Sequence, residues 1–460
     1  MTEPTNNVES VRAAVAELMP RLLDDLRRYV EIPSVAFPGF PTEPVLAAHD
    51  LVVELLSEAG ASDVESIRLP DTSPAVFATI PGPEGSPTVL LYTHYDVVPE
   101  GDPSAWKTPA FSAIDAKDEA GRDIIIGRGS ADSKANLMLH LGALRYFEGK
   151  PPVTLKIVVE GQEEFGSDFD SYPPSAPERF AADAMIIADV GNIRPGVPTV
   201  TVALRGSAAV DVEVNTLASP KHSGLFGGAA PDAVIVLLHA LSSLHDADGN
   251  VAVAGLLRNE WAGTTYTDDE FRELAEILPG VEPFGTGGLG SRIWSGPAVS
   301  VIGIDVASVD TSLNAVAAHA RARINLRVHP EQNAVEAQQA LVTHLENLKP
   351  FGVSLTVVAG EAGNGFAAKT DGPAYTALSA ALTEAFETPA TTAAAGGSIP
   401  LVNSLQQAVP GAEVLLFGAT DGFSNIHAPN ERVVVDEIER SVLAEILFLS
   451  TLGSQPAHDH

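Results

Sequence analysis

Val153-Thr154-Leu155-Lys156-Ile157-Val158-Val159-Glu160-Gly161-Gln162-Glu163-Glu164-Phe165-Gly166 passes within a few residues from an apolar run to a pair of adjacent carboxylates. Residues 153–159 read as a buried strand that stops at Gly161. Two acids at the mouth of such a strand are costly to hold together unless something cationic collects them. The arrangement recurs along the chain. Residues 89–92, another apolar run, lead into His94-Tyr95-Asp96, and Asp132 follows the turn Gly127-Arg128-Gly129-Ser130. Asp189 ends the run 184–188, and His427 lies in Asn425-Ile426-His427-Ala428-Pro429-Asn430-Glu431. Asp96, Asp132, Glu163, Glu164, Asp189 and the two histidines, most of them at the ends of apolar strands, point to a two-metal site that activates water.

The chemistry assigns roles by type. Two divalent ions about 3.5–4 Å apart need a bridging carboxylate, further nitrogen and oxygen ligands, and a separate base for the shared water. In His94-x-Asp96 the two side chains share one strand face. Asp96 can therefore accept the other imidazole N–H and fix the tautomer of a metal-bound histidine. Neighbours in an extended chain point to opposite sides, so of Glu163 and Glu164 one can ligate while the other faces the water as general base. A lone His-x-Asp carries little information, and an acidic surface with two incidental histidines would not place its acids at the ends of apolar runs.

Five segments together resemble the di-zinc metallopeptidase family of aminoacylase, carnosinase-type dipeptidases, glutamate carboxypeptidase and succinyl-diaminopimelate desuccinylase. They are Leu91-Tyr92-Thr93-His94-Tyr95-Asp96-Val97-Val98-Pro99, Gly127-Arg128-Gly129-Ser130-Ala131-Asp132-Ser133-Lys134, Glu160-Gly161-Gln162-Glu163-Glu164, Ile187-Ala188-Asp189 and His427-Ala428-Pro429-Asn430-Glu431. The resemblance implies that Asp132 bridges the metals, that His94 and Asp189 complete one site, and that Glu164 and His427 complete the other. It makes Glu163 the base and Asp96 the support of His94. The expected cofactor is two divalent ions per chain, zinc by ligand type, with manganese or cobalt able to serve.

Composition agrees with a soluble enzyme. The 460 residues can hold two domains with ample core. No cysteine is present, so there is neither a disulfide framework nor a catalytic thiol. Met1-Thr2-Glu3-Pro4-Thr5-Asn6-Asn7 lacks the basic and apolar regions of a secretory leader, and no run approaches membrane-spanning length. A cytoplasmic protein is expected, with no membrane partner. The formal net charge of -33 argues against nucleic acid as a partner and reads as a solvated surface.

The chain alternates strands and helices. Residues 11–30 carry Val11, Val15, Leu18, Leu22 and Leu26 at helical spacing, with Pro20 expected to kink or split the helix. Residues 45–59 repeat that spacing and stop at Gly60. Strands at 75–80, 88–92, 153–159 and 184–188 and a helix at 136–147 give an α/β fold, a mainly parallel sheet covered by helices, with ligands at its carboxyl edge. The middle third changes rhythm. Strands at 208–214, 298–304, 320–328 and 353–358 with helices at 232–244 and 333–348 follow the β-α-β-β-α-β order of a ferredoxin-like domain. This places an inserted lid and dimerisation domain at 205–366, within a catalytic domain of 1–204 and 367–460. Residues 249–296 form an excursion from the lid, with a helix at 268–277, and 455–460 read as a polar tail.

Other motifs carry less. Gly285-Thr286-Gly287-Gly288-Leu289-Gly290 matches a dinucleotide fingerprint but follows no strand and opens no convincing helix. Lys221-His222-Ser223 has no nucleophile elbow around it, and His458 and His460 belong to the tail. Resemblance to the dimeric dipeptidases gives substrate contacts to His222, in His222-Ser223-Gly224-Leu225-Phe226-Gly227-Gly228, and to Asn314 and Arg327. It also gives one to Ser398, in Gly396-Gly397-Ser398-Ile399-Pro400, within the catalytic domain. An arginine fork with a hydroxyl suits a substrate carboxylate, and a histidine can meet the oxyanion. The resemblance further implies a homodimer through the lid, with His222 and Asn314 reaching the partner's site and Arg327 and Ser398 serving their own. Ala394-Ala395 stand where dipeptidase relatives often carry Arg-Glu, whereas the aspartate at 189 looks like the dipeptidase and aminopeptidase branches. The expected function is hydrolysis of a small peptide, a dipeptide, with N-acyl-amino-acid deacylation as the alternative and a non-catalytic binding protein as a remote one.

Overall fold

Val89, Leu90, Leu91 and Tyr92 are fully buried because their strand, Thr88–His94, has a hydrogen-bonded neighbour on each side and core on both faces. The computed structural model describes residues 8–70, 72–397 and 399–454. Parallel pairing joins Thr154–Glu160, Thr88–His94, Ala184–Ile187 and Glu413–Leu416 in that spatial order. Ala75–Ile80 and then Asp63–Ile67 extend one side in antiparallel fashion, and Thr199–Leu204 flanks the other. One hydrophobic core runs through this sheet and the helices Val8–Val30, Glu43–Glu58, Ala135–Tyr146, Pro373–Phe386 and Val435–Gly453.

The chain divides into two compact units. One comprises Met1–Val202, Ala368–Ala393 and Pro400–His460, the other Ala203–Ala367 and Ala394–Ile399. The short segment Ala394–Ile399, read from sequence as part of the catalytic domain, groups with the second unit. In that unit Ala298–Asp305, His319–Val328, Gly206–Asn215 and Thr356–Gly363 form an all-antiparallel sheet in this order, the split β-α-β arrangement. Helices Ala233–Ser242 and Ala334–Asn347 supply the residues that pack against Val210, Val212, Ile324 and Leu326.

Some elements differ from expectation. Helix Val8–Val30 continues through Pro20, which is exposed, as is Ala16, whose carbonyl loses its hydrogen-bond donor. Water can satisfy that carbonyl, so the helix is not split. The strand expected at 353–358 begins at Thr356, because 350–352 form a short 3-10 turn first. The glycine-rich stretch after Gly285 leads into a five-residue helix, Leu289–Ile293, and the element directly before it among the described residues is the helix Asp268–Leu274, not a strand. Residues 455–460 lie outside the described residues.

Asp25 on the first helix accepts from Arg145 Nη2 at 2.6 Å, and the two side chains are only 7% and 4% exposed. Removing the acid leaves a buried guanidinium without its counter-charge, which costs ~3–5 kcal/mol. Asp25→Ala is expected to lower the free energy of unfolding by about that amount in a urea titration.

Candidate metal centre

His94 ends its strand and is completely buried. Its Nδ1 lies 3.0 Å from the backbone oxygen of Asp96 and 3.5 Å from that residue's carboxylate. This fixes the ring so that Nε2 faces Asp132 Oδ1 at 3.1 Å and Asp189 Oδ1 at 3.0 Å. His427 repeats the arrangement, with Nε2 3.1 Å from Asp132 Oδ2 and 2.9 Å from Glu164 Oε2. Two clusters result, His94–Asp132–Asp189 and Asp132–Glu164–His427, with the ligand atoms of each within 4.8 Å of one another. Asp132 belongs to both and offers a different oxygen to each.

In this geometry the imidazoles act as the cations that gather the acids. Burial opposes a charge on His94, yet Asp189, Asp132 and Asp96 together raise its pKa well above the ordinary value. Hydrogen bonds to Asp132 and Glu164 raise His427 to about 10. Burial, then the charge of Asp132, pushes Glu164 up to about 7, while the two histidines hold Asp132 far below the usual carboxylate range against its burial. A divalent cation in each cluster would take over that role with the same N/O donors, a set suited to zinc, manganese or cobalt. The residues present therefore fit the two-ion site.

Glu163 belongs to neither cluster. Burial and the charges of Asp189, Glu164 and Asp96 push its carboxyl well above the ordinary range. The pair Glu163-Glu164 is not extended, as the sequence suggested, but lies in a turn in which Gly166 N–H bonds Glu163 O at 3.1 Å. The cause is Asp96, whose Oδ1 accepts the Glu163 amide at 2.9 Å and whose Oδ2 accepts the Glu164 amide at 3.1 Å. Asp96 thus orders the turn as well as His94.

A second buried carboxylate, Glu431, was quoted in the sequence without a role. Its Oε2 accepts from Arg128 Nη1 at 2.6 Å and the Gly129 amide at 2.9 Å, and its Oε1 accepts the amides of Ala131 and Asp132, both at 3.0 Å. Gly129 is left-handed at φ 80°, a turn only glycine adopts freely, so the Gly127–Asp132 loop can wrap this one acid. Lys134 is another omission. It is buried, donates to the carbonyls of Tyr29 and Ile32 at 2.9 and 2.7 Å, and is pulled down to about 7 by burial. The signal for Glu431 was its place four residues after His427 and just before the apolar Val433-Val434-Val435.

His222 and Asn314, from the second unit, meet at a two-residue ladder. His222 pairs with Ala315, and the Ser223 amide donates to Asn314 O at 2.9 Å. Both are exposed, and His222 Nδ1 accepts the Gly224 amide at 3.1 Å. Arg327 lies half-buried on the strand His319–Val328, opposite Ser207. Ser398 lies outside the described residues.

A sequence profile of peptidase family M20/M25/M40 matches residues 90–449. A cysteinylglycine-S-conjugate dipeptidase of Corynebacterium striatum is 38% identical over 376 residues, 80% of this chain and 82% of the relative. A beta-Ala-His dipeptidase of Homo sapiens is 25% identical over 416 residues, 84% of this chain and 80% of that one. The solved structure of the dipeptidase Dug1p from Saccharomyces cerevisiae shares the fold with a TM-score of 0.77 at 21% identity, covering 98% of this chain and 99% of its own. Human carnosine dipeptidase 1 also aligns with a TM-score of 0.77, at 22% identity, over 97% of this chain and 98% of that one.

Glu431→Gln keeps the size of the side chain but turns an amide NH2 toward N–H donors. It is expected to weaken retention of a divalent ion about 10- to 100-fold, as losses in a ligand's supporting shell usually do. Competition with a chromophoric chelator reads this directly.

Proposed function

The chain belongs to peptidase family M20/M25/M40, and we propose that it hydrolyses the amide bond of dipeptides with water activated between two divalent ions. The observation that carries this reading is Asp132, with one oxygen toward each of two ligand clusters while Glu163 stands in neither. Both curated relatives above are dipeptidases by name, which supports a two-residue substrate.

His94 and Asp189 would hold one ion, Glu164 and His427 the other, and Asp132 both. When bound, the ions polarise the scissile carbonyl and acidify the water. Glu163 takes the proton from that water and passes it to the leaving amine. Asp96 keeps Glu163 in place through the amides of its turn. Arg327, Asn314 and Ser398 receive the C-terminal carboxylate, and His222 donates to the oxyanion.

A homodimer through the second unit completes the proposal. Around His222 and Asn314, Leu225 is 77%, Leu313 84% and Val309 88% exposed, a concentration of apolar surface that association would cover. Strand Ala298–Asp305 is an edge, exposed from Ser300 onward. His222 and Asn314 then serve the partner's site, while Arg327 and Ser398 serve their own chain. No helix among the described residues is long and apolar enough to cross a membrane.

Metal-loaded protein is expected to cleave Ala-Ala and to leave N-acetyl-alanine untouched; the reverse would make it a deacylase. Glu163→Gln should retain its metal by elemental analysis and lose at least about 10²-fold in rate on the same dipeptide. Loss of metal instead would make Glu163 a ligand.

Subunit exchange tests the shared site. An inactive His222→Ala chain mixed with an inactive Glu163→Gln chain should regain activity, because one site of the mixed dimer holds both Glu163 and a partner-supplied His222. No recovery after exchange has been verified by mass spectrometry would defeat the trans arrangement.

A further inference from the structure

On the open face of the second unit's sheet the acids pair with some of the cations and leave two arginines over. Along Gly206–Asn215 the half-exposed positions are Ser207, Ala209, Asp211 and Glu213, and along His319–Val328 the corresponding face carries Arg321, Arg323, Asn325 and Arg327. Asp211 is taken by both Arg321 and Arg323, the latter through Nε at 2.7 Å. Glu213 is taken by His319 at 3.2 Å. Arg327, and Arg205 one residue before the first strand, are left with no ion pair to a carboxylate among the described residues.

Arg205 is the more exceptional of the two. Its Nε and Nη1 are buried and have no hydrogen-bond partner among the described residues. It stands two residues before Ser207, the cross-strand partner of Arg327, and burial and the charge of Arg327 pull its pKa down to about 10. The segment leading toward residue 398 forms a wall beside it: the Arg205 amide donates to Ala395 O at 3.3 Å, and a β-carbon on Gly396 would stand 3.3 Å from Arg205 Nη2. Ala394 and Ala395 bring no carboxylate there. A buried cation without a partner is destabilising, and native proteins keep few such groups without a use for them. Two adjacent guanidinium forks with free donors form a receptor for a planar, bidentate anion.

We propose that Arg205 is the second arginine of the receptor for the substrate's α-carboxylate, acting beside Arg327. The proposal rests on the dipeptidase reading and narrows it to substrates that end in a free carboxylate. Arg205 donates through its guanidinium N–H groups, of which Nε and Nη1 have no partner among the described residues, so substrate binding supplies the missing counter-charge.

The experiment compares Ala-Ala with its C-terminal amide on wild-type protein, Arg205→Met and Arg205→Lys. Arg205→Met is expected to raise KM for Ala-Ala about 10- to 100-fold with little change in kcat, the loss expected for charge-assisted hydrogen bonds. Its kcat/KM on the amide should match wild type, and Arg205→Lys should recover part of the loss. An unchanged KM for Ala-Ala, or equal losses on acid and amide with a lowered melting temperature, would overturn the proposal, the second result making Arg205 a structural residue. If Arg205→Met does not fold, Arg205→Lys decides: a several-fold rise in KM confined to the free acid supports the receptor, and no rise overturns it. Wild-type protein that cleaves neither substrate would defeat the dipeptidase reading itself, a separate outcome.

Discussion

Repulsion among carboxylates gathered at one edge of the parallel sheet is the constraint to which the first unit answers. Asp132, Glu164 and Asp189 converge within hydrogen-bond distance of two imidazoles, and Glu163 stands next to them. Such a cluster holds together only because opposite charge is built into it and further carboxylates are tied to the backbone. Asp96 and Glu431 are those ties. Between them they accept five main-chain amides, those of Glu163, Glu164, Gly129, Ala131 and Asp132. Charge-assisted bonds of this kind offset the burial of the acids. They also draw three separate loops toward the strand ends.

This division of labour separates the residues of the two candidate clusters from those that fix their position. His94 is held through Nδ1, leaving Nε2 free to face the cluster. His427 adopts φ 60°, and its neighbours Asn425 and Asn430 are also left-handed, at φ 54° and 63°. Three left-handed residues, of types that tolerate this region better than most, shape the loop that carries His427. In the second unit Asp211 is shared by two arginines, while Arg205 Nε and Nη1 have no partner among the described residues.

The residues of the metal centre were legible in the sequence because each follows an apolar run or a glycine turn, and the alternating sheet puts strand ends at one edge. His94, Asp132, Glu164, Asp189 and His427 could be named from that pattern and the family resemblance, and the structure gathers these five into two overlapping clusters. The geometry of Glu163 and Glu164 was not legible. Their opposite sides were argued from an extended chain, whereas the Asp96 carboxylate folds them into a turn. Glu431 was visible only as part of a motif, since its partners lie 299 to 303 residues away. Arg205 carried no local signal, because its interest lies in the partner it lacks.

The sequence alone determined the alternating sheet, the antiparallel insertion, the family, and the residue types at the metal centre. Each of these depends on local periodicity or on short motifs whose members are neighbours in the chain. Only the tertiary structure decided how charge is balanced: which oxygen of Asp132 faces which histidine, which amides Asp96 and Glu431 accept, and which arginine donors have no partner among the described residues. The physical reason is that a charge takes its energy from the groups brought around it and from the water removed, and folding brings those groups together from positions hundreds of residues apart.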